Sequence, residues 1–327
     1  PLMQFAIHAG IAREDMRNEL SSIVTGSGTG YILNKIIQAL NNNKGHAFLV
    51  PTPTYGYFIP AFEACGAKPV FLDSTPYPQY EIPPEELEKK IIQQNEHLYR
   101  ENIKMFISQF RKFIDLVKAE KILGEEINEQ LTLQGKEEKL YPAAKKFHSY
   151  MQKNSQELEK KYGVKFSKLL TSYPELPRVT CLYFINPHNP LGVIFDQDYI
   201  TAIAEIAYKY ELTIIEDLTH LELLHPLPQR QIGFFNRTGL NIPVVSLISP
   251  SKALCMAECR VGYALINTPS LVTAYQEQVF NDGLFLGKKQ LRALENAFVM
   301  NPERDQYVVS HAQEYRERIA LIQYILH

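Results

Sequence analysis

The chain has 327 residues, of which 45% are hydrophobic and 21% charged, and its formal net charge is -2. That balance gives no electrostatic reason to expect nucleic acid or an anionic membrane as partner, and no run approaches the roughly 18 apolar residues of a membrane span. Four cysteines (Cys65, Cys181, Cys255, Cys259) fit no disulfide framework, and Cys255 with Cys259 has no second Cys or His pair nearby to complete a metal site. The start, Pro1-Leu2-Met3-Gln4, lacks the basic and apolar regions of a signal peptide. A reduced protein of cytoplasmic type, without structural metal, is the expectation. The length suits one large domain plus part of another.

Residues 1–20 read as a polar helix with Met3, Ile7 and Ile11 on one face. A short strand, Ser21 to Thr25, runs into Gly26-Ser27-Gly28-Thr29-Gly30. A helical pattern follows, with Ile32, Leu33, Ile36, Ile37 and Leu40 spaced by three and four. Strand, glycine loop and helix start together aim backbone N–H groups and the positive helix end at an anion. The loop also serves any tight turn, and it lacks the Gly-Lys-Ser/Thr ending of a Walker A motif. Ala47 to Val50 is the next strand, left by an irregular loop carrying Tyr55. That tyrosine can lie flat on a planar ring, or it can be an ordinary core or rim residue. A short helix through Ile59, Phe62 and Cys65 ends at Gly66, and Lys68 to Asp73 forms a third strand.

From Pro83 to about Leu176 the chain is rich in Lys, Glu and Gln. Ile103, Phe106, Ile107, Phe110, Phe113, Ile114 and Val117 carry the spacing of an amphipathic helix. Gly124, Gly135 and Tyr141-Pro142 divide the segment into three or four helices. It reads as a helical insertion packed on its parent domain, or alternatively as a docking surface or lid.

Strands resume at Thr180 to Ile185, followed by Asn186-Pro187-His188-Asn189-Pro190-Leu191-Gly192, a rigid turn that cannot be helix. A helix through Ile200, Ile203, Ile206 and Ala207 leads to the strand Leu212 to Asp217. Asp217 stands at a strand's carboxyl end, where open α/β sheets bind ligands. It can accept from a protonated ring nitrogen, or serve only as a helix cap. The strand Pro243 to Ile248 then enters Ser249-Pro250-Ser251-Lys252, with Arg260-Val261-Gly262 shortly after. A lysine at a strand exit can form a Schiff base with an aldehyde once its pKa is lowered. Neighbouring hydroxyls and a planar guanidinium can hold a phosphate. The plainer alternative is a strand-loop-strand with one surface Lys and one surface Arg. A final strand spans Val261 to Ile266. Six strands alternating with helices predict a parallel, doubly wound sheet. The link from Lys252 to Val261 is too short for a helical crossover, so the seventh strand is expected to be antiparallel.

These residues resemble the large domain of fold-type I pyridoxal-phosphate (PLP) enzymes, specifically the class I/II aminotransferases. The likeness runs from Ser21 to Ile266 outside the insertion, and its most specific motif is Ser249-x-Ser251-Lys252-x7-Arg260-x-Gly262. It implies an α/β fold with a seven-stranded, mainly parallel sheet between helices. A PLP-binding domain would cover 1–285 with its helical insertion at about 85–176, and 286–327 would begin an incomplete small domain. By this resemblance Lys252 bonds the cofactor and shuttles the substrate proton. Ser249, Ser251 and Arg260 hold the phosphate together with Ser27, Gly28 and Thr29. Asn189 bonds the phenolic oxygen, Asp217 keeps the pyridine nitrogen protonated, and Tyr55 stacks on the ring. The implied activity moves an amino group between an L-amino acid and a 2-oxo acid, in a homodimer. A β-lyase, decarboxylase or cyclase is the alternative chemistry, and a scaffold binding a protein partner through the insertion is the alternative role.

Several departures accompany the match. Leu191 stands where the family usually has Thr, and His220 where it has Tyr; imidazole can also donate to the phenolic oxygen. The insertion is unusually long. The tyrosine that a neighbouring subunit gives to the phosphate is expected upstream of Pro1. The arginine for the substrate carboxylate is expected beyond the helical segment at Tyr315 to Arg318.

Overall fold

The computed structural model describes residues 1–15, 22–41, 45–98, 101, 153, 156, 157, 160, 177–224, 233 and 241–326. The helical pattern from Ile103 to Val117 and its punctuation lie outside these residues.

Two compact units are present, one comprising 1–43, 48–84 and 180–327, the other 44–47 and 85–179. The first contains helix α1 (Leu2–His8) and strand β1 (Ile23–Gly26), then α2 (Thr29–Asn41), β2 (Ala47–Thr52), α3 (Ile59–Ala64) and β3 (Lys68–Asp73). After the segment assigned to the second unit come β4 (Val179–Ile185), α4 (Gln197–Lys209), β5 (Thr213–Asp217), β6 (Val244–Ile248) and β7 (Gly262–Ile266). Three helices close the chain: α5 (Pro269–Asp282), α6 (Lys288–Ala297) and α7 (Pro302–Leu326). Within the second unit, residues 85–98 are helical. There Leu87, Ile91 and Leu98 are buried, and Asn95 accepts from the Val179 N–H at 2.7 Å.

The strands form one seven-stranded sheet in the order β1-β7-β6-β5-β4-β2-β3. β4, β5 and β6 are mutually parallel, with Ile185 opposite Asp217 and Asp217 opposite Leu247. β7 runs antiparallel to both β6 and β1, as the short connection after Lys252 requires. Two antiparallel steps leave β1 parallel to β6. The carboxyl ends of β1, β4, β5 and β6 therefore share one edge with the start of β7.

Every residue of β4, β6 and β7 is buried. Such continuous apolar runs mark strands covered on both faces. One apolar cluster joins Ile32, Leu33, Ile36 and Ile37 of α2 to Val50, Tyr183, Ile215, Val245 and Ala264 of the strands. Burying each large aliphatic side chain is worth roughly 1.5–3 kcal/mol, so α2 is fixed against the sheet by its apolar stripe. α4 buries the predicted Ile200, Ile203, Ile206 and Ala207, and Asp196 caps it by accepting from the Tyr199 N–H at 2.9 Å. Gly66, at φ +66°, follows α3 as expected.

The amino-terminal expectation needs correction. The helix covers only Leu2–His8, and Met3, Phe5 and Ala6 are buried. Ile11, expected on the helical face, lies beyond the helix and is itself buried. Four-residue spacing alone could not separate a short buried helix from a longer amphipathic one.

Residues 286–327 belong to the same compact unit as the sheet. Arg304 of α7 forms a buried ion pair with Glu222. Its guanidinium lies 5.3 Å from the Phe5 ring centre and 5.8 Å from that of Phe298. Burial raises the Glu222 carboxyl above its ordinary pKa, and the Arg304 charge opposes that rise.

Candidate active site

At the shared strand edge lies a cavity of about 330 Å³ lined by Gly28, Thr29, Gly30, Tyr55, Ile185, Asn189, Asp217, Thr219, His220, Ser251, Lys252, Ala257 and Arg260. The sheet thus gathers Gly28, Thr29, Tyr55, Asn189, Asp217, His220, Ser251, Lys252 and Arg260 from widely separated parts of the sequence. Ser27 and Ser249 do not line it.

One pole of the cavity is made by backbone conformation. Gly28 adopts φ +83°, and a Cβ there would sit 3.1 Å from Arg260 Nη2. Gly262 is equally confined: its Cβ would meet the Thr29 nitrogen at 3.0 Å and the Gly28 carbonyl carbon at 3.2 Å. Glycine at these two positions lets the first turn of α2, the start of β7 and the Arg260 side chain converge. Arg260 itself holds a left-handed conformation, φ +48° and ψ +55°. Free N–H groups at a helix start beside a guanidinium form an anion cradle.

Ser249 supports this pole from behind. It is buried and donates to the Val261 carbonyl at 3.1 Å. Its oxygen accepts from the Ser251 N–H at 3.2 Å and lies 2.7 Å from Ser251 Oγ. Since its one hydrogen points to Val261, Ser251 is the donor in the hydroxyl pair. Ser249 therefore fixes the turn that carries Ser251 and Lys252. Lys252 and Arg260 are both exposed at the cavity wall.

The opposite pole is made by side-chain hydrogen bonds. Asp217 Oδ1 accepts from the Thr219 N–H at 2.9 Å and from the Thr219 hydroxyl. Oδ2 accepts from the Tyr183 hydroxyl at 3.1 Å. Burial raises the Tyr183 phenol well above its ordinary pKa, and the Asp217 charge adds to that; Tyr183 therefore remains a donor. Oδ2 retains acceptor capacity, because each carboxylate oxygen carries two lone pairs. One oxygen thus ties down the local turn, and the other is left with room for a further donor.

His220 lines the cavity between the poles. Burial lowers its pKa, the Asp217 charge raises it, and the Lys252 charge lowers it. Its Nδ1 is buried without a hydrogen-bond partner. Buried polar atoms are normally satisfied, so this nitrogen is available to a bound group.

The Asn186–Gly192 turn holds Asn189 at the rim. Asn186 is fully buried, donates its N–H to the Asp217 carbonyl at 3.1 Å and accepts from Phe195 N–H at 3.2 Å. The loop closes through His188 N–H to Val193 O and Gly192 N–H to His188 O, both at 2.8 Å. Tyr55, half exposed, forms another part of the rim. Sequence reasoning missed Tyr183, Thr219, Ile185 and Ala257. Nothing in the local sequence marks Tyr183; only the β4–β5 register brings it to Asp217.

Among the described residues, no group of three or more His, Cys, Asp or Glu is arranged to hold a metal ion. Cys255 and Cys259 fall in the turn between Lys252 and Arg260, not on one helix. No helix among those residues is long and apolar enough to cross a membrane.

Comparison with known proteins agrees with this geometry. The family model for "Aminotransferase class I and II" matches residues 8–107 and 140–323. The gap between these ranges falls inside the expected insertion, whose first helix is thus part of the family pattern. Nicotianamine aminotransferase A of Hordeum vulgare is 30% identical over 94 residues, 28% of this chain and 20% of that protein. Cystathionine beta-lyase of Corynebacterium glutamicum is 48% identical over 44 residues, 14% of this chain and 12% of that one. The aspartate aminotransferase of Thermus thermophilus, solved with maleate, superposes with a TM-score of 0.60 at 14% identity. That superposition covers 95% of this chain and 59% of the Thermus protein. The chain therefore spans less than two thirds of the length of these relatives. A matching family model across most of the chain, with the strand-edge cavity, makes this chain a member of the class I and II aminotransferases.

Proposed function

We propose that the protein binds pyridoxal phosphate and transfers an amino group between an L-amino acid and a 2-oxo acid. The observation that carries this reading is the convergence of Lys252, Asp217 and Arg260 on one cavity at the strand edge. The residues fit the cofactor. Gly28, without a Cβ, lets the Arg260 guanidinium lie against the start of α2 as an anion partner, and the unpartnered His220 Nδ1 suits the phenolic oxygen. Asp217 Oδ2 has a lone pair left for the ring nitrogen.

Bound there, pyridoxal phosphate supplies an electron sink for a bond breaking at the substrate Cα. The chain's own groups do the rest. Arg260 and the Thr29 N–H bind phosphate oxygens, while the Gly28 N–H is held by the Gly26 carbonyl at 2.7 Å and the Ser251 hydroxyl by Ser249. Asp217, oriented by Tyr183 and Thr219, keeps a proton on the pyridine nitrogen. Asn189 and His220 orient the ring through its phenolic oxygen, and Tyr55 covers its face and excludes water. Lys252 Nζ holds the cofactor and then takes and returns the proton at the substrate Cα.

A β-lyase is the second reading. It is supported by the 48% identity to cystathionine beta-lyase over 44 residues and by His220 at a position where tyrosine was expected. Cytoplasmic location and a homodimer belong to the main reading and rest on the family resemblance, as does a small domain beginning near residue 286.

Borohydride reduction after mixing with pyridoxal phosphate, followed by peptide mass mapping, is the direct test. A phosphopyridoxyl group on Lys252, absent from Lys252→Ala, is the expected result; a folded protein without it overturns cofactor binding. A single turnover with an amino acid then separates the reactions, because transamination leaves pyridoxamine phosphate and a lyase regenerates the aldehyde.

A further inference from the structure

Among the described residues nothing bonds His220 Nδ1, so the main chain has to aim this ring. Before it, the backbone is tied twice: Leu218 N–H donates to Leu247 O and Thr219 N–H to Asp217 Oδ1, both at 2.9 Å. After it comes one 3-10 turn, Leu221–Leu223, which begins without a side-chain cap. Leu223 N–H donates to His220 O at 3.1 Å. A single turn of this kind has poor hydrogen-bond geometry and gains from an outside anchor.

Glu222, two residues past His220, supplies that anchor. It is buried, and its Oε1 accepts from Arg304 Nη2 of α7. Arg304 is itself firmly seated. Its N–H donates to Asn301 Oδ1 at 2.8 Å, and its Nε donates to the Ala297 carbonyl at 2.5 Å. The pair is poorly suited to a purely stabilising part. Glu222 Oε2 is buried without a partner, and desolvation largely cancels the attraction of a buried ion pair. Apolar residues of similar volume often serve stability as well or better. What the guanidinium adds is geometry: a planar fork that bonds Ala297 and Glu222 at once fixes distance and angle. An apolar contact would let a three-residue turn slide.

We propose that Glu222 and Arg304 form a positioning pair that holds the His220 ring against the cavity from outside it, so that α7 sets where Nδ1 points. Neither residue lines the cavity. The purpose of the aiming, a bond to the phenolic oxygen, rests on the pyridoxal phosphate reading; the aiming itself does not.

The test uses the unloaded full chain with isotope-labelled histidine. Magnetic resonance identifies the His220 imidazole by its absence from His220→Gln. In the wild type it should be one sharp signal titrating below an ordinary histidine, since burial lowers its pKa, the Asp217 charge raises it and the Lys252 charge lowers it. Among the described residues no charge of Glu222 or Arg304 acts on the ring, so their loss changes its titration only by moving it. The double variant Glu222→Leu with Arg304→Met replaces the pair by apolar side chains, and denaturant melts should show stability kept. In it the His220 signal should broaden or split, and its titration should rise toward about 6.5. An unchanged signal in the folded double variant overturns the proposal. If that variant does not fold by circular dichroism, Arg304→Lys is read instead, because it keeps the charge and loses the fork. A disturbed His220 signal there supports the pair, and an unchanged one overturns it. The cofactor gives a separate arm. Pyridoxal phosphate should bind the folded double variant about fivefold more weakly, with the affinity for inorganic phosphate unchanged. Undiminished affinity with a displaced ring overturns the link to the phenolic oxygen. A disturbed signal in a chain that binds no pyridoxal phosphate keeps the positioning pair and overturns only the cofactor reading.

Discussion

The two poles of the cavity are built on opposite principles. At the glycine-loop pole, position comes from the main chain: Gly28 at φ +83°, Gly262 with no room for a Cβ, and Arg260 in a left-handed turn. At the Asp217 pole, position comes from side chains, with Tyr183 and Thr219 holding the two carboxylate oxygens. A backbone-made pole should fail abruptly when a Cβ is added. A pole made of hydrogen bonds should fail by degrees as single donors are removed.

The largest effect is therefore expected from Gly28→Val. A β-branched residue is unsuited to φ +83°, and its Cβ would crowd the Arg260 guanidinium. Losing two charge-assisted contacts to phosphate, each worth about 1.5–3 kcal/mol, should weaken pyridoxal phosphate affinity by about 100-fold or more in a spectroscopic titration. Wild-type affinity in a folded variant would mean that the cradle is not where the phosphate sits.

Tyr183→Phe should be milder and different in kind. It removes one donor to Asp217 Oδ2, worth on the order of 1 kcal/mol or slightly more. Deuterium exchange at the substrate Cα should slow about tenfold, while cofactor affinity changes less than about threefold. Were affinity to fall as far as exchange, the two poles would not be separable.

The smallest effect at neutral pH belongs to the Asn186–Gly192 turn at the rim. His188 is buried, its Nδ1 lacks a partner, and burial lowers its pKa to about 4. Between the unfolded value of about 6.5 and that folded value, the unfolded chain binds a proton that the folded chain does not. Stability is thus lost as pH falls through this window, by about 1 kcal/mol between roughly pH 6.5 and 5.5. Denaturant melts of His188→Gln should show a flatter dependence there; an unchanged slope would assign the acid sensitivity elsewhere.

The same contrast explains what could be read in the sequence. The strand-forming runs, the antiparallel turn-back after Lys252 and the motif residues are local features, so spacing and residue type reveal them. Ser249 is visible in the motif, but its role is not; only its bonds to Val261 and Ser251 show it holding the turn rather than lining the cavity. Tyr183 is one aromatic among 19 tyrosines. It reaches Asp217 because Ile185 pairs with Asp217 and Tyr183 lies two residues earlier on the same face of β4. Register of this kind is a tertiary fact. The amino-terminal helix was misjudged for a related reason, since its buried face meets α7, some 300 residues later.

That last meeting has a practical side. Phe5 and Phe298 pack on each other with ring centres 4.7 Å apart and the Arg304 guanidinium beside both, Arg304 pairs with Glu222 just past His220, and the Tyr263 hydroxyl donates to the Leu2 carbonyl at 3.2 Å. The first eight residues are a plug, shielding an ion pair whose partners would otherwise have one side open to water. Replacing Phe5 by a small residue would reach the His220 turn through Arg304 and Glu222 without altering any residue of the cavity.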